Sequence, residues 1–414
     1  MGYVQHLICV HLDKDNTVDH IIVGGGIAGT AAAEQVRRMD ADARITIITA
    51  EPYPLYSRIL LTEFLAGKME ESRVFVRKRE WYETMNIRLL TGVRVESIAP
   101  PSARVTTSTG ESYRYDRLLL ATGGVSFMPS LPGSHLGGIF TLRTLEDARQ
   151  IMEHTRQNKK VIVLGGGVLG LEAGYSLLRS GMEVSVVEFF PRLLPRQMDV
   201  PGAALLQRNM EKTGFRFYLG AKTREIVGQR KVEGLLLEDG TRLECDTLLV
   251  SAGVRPNRQL TDSLGLPADK GVQVDDRMET PVPGIYAAGD LVEHRKVYYG
   301  LWGAAQRQGE VAGVNMAGGD DLYTGTTISN QLKVAGVDLL AAGDIDPENT
   351  ADSVVVQDTT RSVYRKIVFR EGKVAGTILY GDLTDRKHLL DAIRNETPAN
   401  EMSEILSRWN ASSS

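Results

Sequence analysis

Residues 19–36 read DHIIVGGGIAGTAAAEQV, and residues 160–177 read KVIVLGGGVLGLEAGYSL. Each stretch is a short apolar run, a G-x-G-x-x-G turn and a small-residue-rich segment of helical character. That order is the pattern of a strand–turn–helix phosphate site. Each is followed by a second apolar strand that ends in an acid: ARITIITAE closes on Glu51 and MEVSVVE on Glu188. The two acids stand 27 and 23 residues after Gly24 and Gly165, the spacing of a dinucleotide-binding βαβ unit. One glycine motif is a weak signal, because glycine-rich turns occur in α/β proteins that bind nothing. Two copies, each with strand, helix and terminal acid, are a strong one. The chain reads as α/β with two Rossmann-like domains.

Each glycine has a separate task. Gly24 and Gly165 permit the tight turn; Gly26 and Gly167 let backbone approach a pyrophosphate; Gly29 and Gly170 let the helix lie close to its strand. Ile27 and Ala28, between the last two glycines of the first motif, belong to the same phosphate-facing turn. The helix N-terminus offers free N–H groups and the positive end of its dipole. Glu51 and Glu188 are placed to accept hydrogen bonds from ribose hydroxyls. A carboxylate at Glu188 also repels a 2′-phosphate, so NADH is expected over NADPH, with Arg192 close enough to complicate that preference.

Composition excludes several alternatives. The 414 residues are 42% hydrophobic and carry 48 Lys and Arg against 52 Asp and Glu, for a net charge of −4. That balance argues against a nucleic-acid protein, which usually shows a basic surplus. No uncharged apolar run reaches the roughly 18 residues of a membrane span. The first residues lack a secretory pattern, and His6 stands where a myristoylation signal after Gly2 wants Ser or Thr. A cytoplasmic location is expected. Two cysteines, Cys9 and Cys245, make neither a disulfide framework nor a four-ligand metal cluster.

Further segments complete the layout. YDRLLLATGG (115–124) and CDTLLVSAGVRPN (245–257) are apolar runs ending in small-residue turns, each preceded by hairpin-like alternation. Residues 280–290, TPVPGIYAAGD, end an apolar strand in a glycine and a carboxylate, Gly289 and Asp290. Taken in order, GGGIAG, ATGG, GGGVLGLE, SAGVRPN and IYAAGD resemble the glutathione-reductase-like FAD/NAD(P)-dependent oxidoreductases. With LWGAAQRQGEVAGVNMAGG (301–319) and the strand-rich segment after Leu322, the resemblance narrows. It points to the NADH:rubredoxin oxidoreductases and the flavin portion of the assimilatory nitrite reductase large subunit, from about Val18 to Asp382.

The resemblance implies that the first unit holds FAD and the second NADH. Residues 18–125 and 254–320 would form one discontinuous FAD-binding domain, with an NAD(H)-binding domain, 126–253, inserted between them. An N-terminal extension, 1–17, would precede them and a C-terminal α/β domain, 321–414, would follow. Ala121, Thr122, Gly123 and Gly253 would line the cofactor clefts, and Gly289 and Asp290 would hold the flavin ribityl chain. Trp302 and Tyr299 would lie near the isoalloxazine, although plain core packing fits them equally well. Many relatives carry a cysteine after the second strand; here EPYPLYSRILLTEF has Tyr56-Ser57-Arg58 and none. A thiol relay is therefore not expected, and Cys245 reads as a packed core thiol.

The resemblance also pairs Arg58 with Glu172 near flavin N5, as an electrostatic couple for hydride transfer. The plainer reading is a surface arginine and an ordinary helix acid. The cluster Arg73, Arg77, Lys78 and Arg79, near Trp81 and Tyr82, is either a solvated helix face or a docking site for an acidic electron carrier, rubredoxin or a ferredoxin-like protein. The expected activity is hydride transfer from NADH to FAD, then electron transfer to such a carrier. A flavin subunit of a larger reductase and a non-turnover FAD-binding sensor are the alternatives. Nitrite reduction by this chain alone is not expected, since it lacks the cysteines of an iron–sulfur and sirohaem centre. The oligomeric state is left open.

Overall fold

A computed structural model describes residues 17–334 and 336–411. The N-terminal residues before Thr17, Cys9 among them, lie outside the described part. Two five-stranded parallel sheets dominate. In the first the spatial order is Ile285–Ala287, Arg117–Leu120, Asp19–Val23, Arg44–Thr49, Ile87–Thr91. In the second it is Arg216–Leu219, Glu183–Glu188, Lys160–Leu164, Thr247–Val250, Ile139–Phe140. The glycine motif thus follows the middle strand of each sheet, and the acid-bearing strand lies beside it. Fully buried Ile22, Ile47, Leu118 and Leu119 in one sheet, and Val163, Val186 and Leu248 in the other, show why these strands are unbroken apolar runs. A parallel sheet covered on both faces has no polar side to present.

Each parallel sheet carries an antiparallel three-stranded excursion. These are Val95–Ala99, Arg104–Thr107 and Ser112–Arg114 in the first, and Thr223–Gly228, Val232–Leu237 and Arg242–Glu244 in the second. The architecture is therefore an internal repeat at the level of whole units. Gly124–Ser126 pairs antiparallel with Val254–Pro256, so the segments leaving the first unit and returning to it run side by side.

The third sheet is antiparallel, in the order Ser329–Val334, Val337–Gly343, Lys373–Tyr380, Val363–Arg370, Asp352–Asp358. Helices Arg386–Arg394 and Ser403–Ala411 pack on it through Leu389, Ala392, Ile405 and Trp409, all buried against Leu340, Ile367 and Leu379. Its other face joins the second unit: Tyr364, Ile378 and Tyr380 share a core with Met198, Ala203 and Leu206.

Helix Ile27–Met39, which opens at the first glycine turn, packs on helix Trp302–Met316 at very short range. A Cβ at Gly309 would sit 2.1 Å from the Ala28 carbonyl oxygen, and one at Gly313 would sit 2.4 Å from that of Ala32. Only glycine allows this approach. It seats the N-terminus of the second helix, Trp302, beside the first glycine motif.

Candidate functional site

The glycine turn after the first strand is held by backbone contact on one side and open on the other. Gly24 has φ +119°, and a Cβ there would lie 2.1 Å from the carbonyl oxygen of Ala121. Gly26, two residues on, has nothing within 4 Å of where its Cβ would stand. Gly29 closes the motif beneath the turn, where a Cβ would meet Gly24 O at 2.0 Å. The second turn repeats this: Gly165 has φ +118° against Ser251 O, Gly167 faces open space, and Gly170 abuts Gly165 O.

A cavity of about 1070 Å³ opens from the first turn, at the upper end of the range for cofactor clefts. Gly24, Gly26, Ile27, Ala28, Glu51, Arg58, Ala121, Thr122, Gly123, Gly289, Asp290 and Trp302 all line it, and Val168, Leu169 and Glu172 of the second unit's helix close its far side. Gly165, Gly167, Gly170, Glu188 and Gly253 are not part of that lining. Gly253 sits in the loop between Val250 and Val254 with φ +104°.

Four charged groups of the cavity form two pairs, Glu51 with Arg58 and Asp290 with Arg143. Glu51 accepts from Arg58 Nη2 at 2.6 Å and from the Tyr56 hydroxyl at 2.5 Å, and Arg58 Nη1 donates to the Arg143 carbonyl at 2.5 Å. The Tyr56 oxygen in turn accepts from Leu145 N at 3.2 Å. Asp290 forms an ion pair with Arg143 at 2.7 Å. Gln308 accepts from Gly289 N at 2.9 Å and fixes the turn that presents Asp290. A carboxylate has about four acceptor directions, so Glu51 keeps capacity for ribose hydroxyls.

The expected couple between Arg58 and Glu172 is not formed. Both line the cavity, but Arg58 turns toward Glu51, where Tyr56 has already fixed a carboxylate in reach. The helix begins at Val168, which places Glu172 in its second turn. Burial pushes its carboxyl up to about 7, reinforced by the charge of Glu63 and opposed by the Lys333 backbone N–H. Desolvation there outweighs the helix dipole.

Arg143 is one of the cavity residues that the sequence reading missed. It precedes helix Leu145–Thr155, whose N-cap Thr144 and N3 Asp147 form a capping box. Asp147 also accepts from Arg143 N at 2.9 Å. The T-x-x-D spacing at 144–147 was the available signal, since it marks the helix start that aims Arg143 at Asp290.

In the second unit, Glu188 is buried and bound back onto its own turn, accepting from Gly166 N at 2.5 Å and Phe190 N at 2.8 Å. Arg192 pairs at 2.7 Å with Glu348, in the loop between strands Val337–Gly343 and Asp352–Asp358 of the antiparallel sheet. Cys245 is buried in the core of the second unit with its thiol pushed up to about 12 by burial, and it does not line the cavity. In the basic cluster, Arg77 reaches Glu34 and lies over the Trp81 ring, Arg79 donates to Thr91, and Tyr82 is a core residue. No described helix is long and apolar enough to cross a membrane.

The family model of pyridine nucleotide-disulphide oxidoreductases matches residues 18–309. The chain belongs to that family. Its enzymes use FAD and NADH, and the two glycine units are their common frame. A second model, the rubredoxin NAD+ reductase C-terminal domain, matches residues 329–397. The chain is 30% identical to an NADH-rubredoxin oxidoreductase of Clostridium acetobutylicum, over 93% of this chain and 97% of that one. The solved NADH:rubredoxin oxidoreductase of that organism superposes with a TM-score of 0.79 at 30% identity, covering 92% of this chain and 96% of the other. A nitrite reductase [NAD(P)H] of Bacillus subtilis is 38% identical over 93% of this chain but only 48% of its own length. The chain spans about half the length of the first curated relatives it matches.

Proposed function

We propose that this oxidoreductase takes a hydride from NADH and passes electrons to a small redox protein, rubredoxin or ferredoxin-like, without a redox-active cysteine. The observation that carries the reading is the continuous cavity that runs from the Gly24–Gly26 turn to Glu172 of the second unit, with the pairs Glu51–Arg58 and Asp290–Arg143 in its lining. FAD, when bound, supplies the step from two-electron to one-electron chemistry. The residues fit that group: the turn at Gly26 is open for a pyrophosphate, Glu51 keeps acceptor capacity for a ribose, and Asp290 stands beside Gly289 for a polyol chain.

The chain's own groups bind and orient. Arg58 and Arg143 bring two guanidinium groups to the cavity, each held by a carboxylate, so the site can accept an anionic ligand without an unpaired buried charge. Glu172 lies on the side that faces the second unit, and with its carboxyl raised to about 7 it presents a largely neutral surface to an incoming nicotinamide below that pH. Trp302 and Ile27 wall the cavity. Glu188 is the acid for the NADH ribose, and the placement of 18–125 with 254–320 as one FAD domain around 126–253, followed by 321–414, is part of the same reading.

Anaerobic addition of NADH should bleach the flavin absorbance, and oxidised rubredoxin should restore it. Bleaching that no separate carrier reverses would favour a second reading, an electron-entry unit within a larger reductase. The half-length match to the nitrite reductases supports that alternative.

A further inference from the structure

We infer that Glu348, in the loop between strands Val337–Gly343 and Asp352–Asp358 of the C-terminal sheet, is a specificity-determining residue for the nucleotide of the second unit, because it holds Arg192 away from a 2′-phosphate. The inference rests on the reading of that unit as the NADH site.

Arg192 belongs to a short arch that wraps the second glycine turn. One end is pinned by Glu188, which accepts from Gly166 N, and the other by Leu194 N, which donates to Gly166 O at 3.1 Å. An arginine beside the acid of a dinucleotide unit is the group that accommodates a 2′-phosphate. Left free, Arg192 would offset the repulsion that Glu188 exerts on that phosphate. It is not free. Its Nη2 donates to Glu348 Oε1 at 2.7 Å and to the Pro195 carbonyl at 3.4 Å, while its buried Nε has no partner. The guanidinium is held by one carboxylate at its outer edge, with a donor left over.

The loop that delivers Glu348 is built for that position. Asp346 and Asn349, on either side of the tip, both take left-handed backbone, with φ 45° and 56°. Asp346 accepts from Thr350 N, Thr350 Oγ1 and Ala351 N at 2.9, 2.8 and 3.0 Å. Fully buried Lys366 donates to Asp346 O at 2.8 Å and Asn349 Oδ1 at 2.6 Å, and lies 3.2 Å from Asp199 Oδ2. Asp199 caps helix Val200–Lys212, the helix that follows the arch. One lysine therefore fixes the loop carrying Glu348 against the segment carrying Arg192. Glu348 itself stays largely exposed, so its replacement removes a charge without opening the core.

The test uses FAD-loaded protein, with ADP and 2′,5′-ADP as calorimetric probes. Glu348→Gln should tighten 2′,5′-ADP by roughly tenfold, the scale of one charge-assisted contact to phosphate, and leave ADP within twofold. Glu348→Ala should do the same, and adding Arg192→Gln should cancel the gain. The ratio of kcat/KM for NADPH to that for NADH should rise in parallel. Unchanged 2′,5′-ADP binding in Glu348→Gln, with ADP still bound, overturns the inference and leaves the NADH site standing. Failure of ADP to bind the wild-type protein removes the NADH site and the inference together.

Discussion

At the scale of single residues, the three-glycine logic was readable because it is a matter of backbone clearance, which spacing reports directly. Side-chain partnering was not. Arg58 was readable as a basic group of the cavity, but its choice of Glu51 over Glu172 depends on Tyr56, whose hydroxyl fixes the Glu51 carboxylate at 2.5 Å. Arg58→Ala should slow flavin reduction by NADH while FAD content stays near stoichiometric, as read by anaerobic stopped-flow and flavin absorbance. Equal reduction rates would remove Arg58 from the chemistry. Glu172 titrates against the usual direction for a carboxylate. Its folded carboxyl sits near 7 rather than near the ordinary value, so the native state binds more protons than the unfolded chain between about pH 4.5 and 7. Its contribution to stability therefore falls as pH rises through that window. Glu172→Gln should stabilise the apoprotein by roughly 1–2 kcal/mol at pH 8 and leave it unchanged at pH 4. Urea denaturation at the two pH values measures this.

At the scale of elements, strands and helices were legible wherever apolar runs were unbroken, because a parallel sheet covered on both faces leaves no room for polar interruptions. The antiparallel excursions were legible from alternation and turn glycines. The contact between helices Ile27–Met39 and Trp302–Met316 was not. Its signal is a pair of glycines, Gly309 and Gly313, whose partners lie almost three hundred residues earlier in the chain. Gly309→Ala should force the helices apart, since the new Cβ would meet the Ala28 carbonyl at 2.1 Å. The expected cost is about 1–3 kcal/mol, as for overpacking of a well-packed core. Because Ala28 lines the cavity, FAD retention should fall with it. Equilibrium unfolding and the flavin-to-protein absorbance ratio report the two effects separately.

At the scale of the whole molecule, the C-terminal sheet is tied to the second unit by a buried cluster of Asp199, Tyr364 and Lys366. The sequence announced a strand-rich third region but not this junction, because Asp199 and Lys366 stand far apart in the chain and each alone looks like a surface charge. Removing one partner of a buried pair strands the other, so Lys366→Met should destabilise the chain by roughly 3–5 kcal/mol. Denaturant unfolding followed by tryptophan fluorescence can follow it, since Trp409 is buried in the same sheet's core.

The central claim is that electrons leave this molecule from the flavin and not through a thiol. Anaerobic stopped-flow on the FAD-loaded Cys9→Ser, Cys245→Ala double variant tests it most directly. Bleaching by NADH and reoxidation by rubredoxin at wild-type rates is the predicted result. Normal bleaching with reoxidation lost would place a cysteine on the electron path and contradict the account.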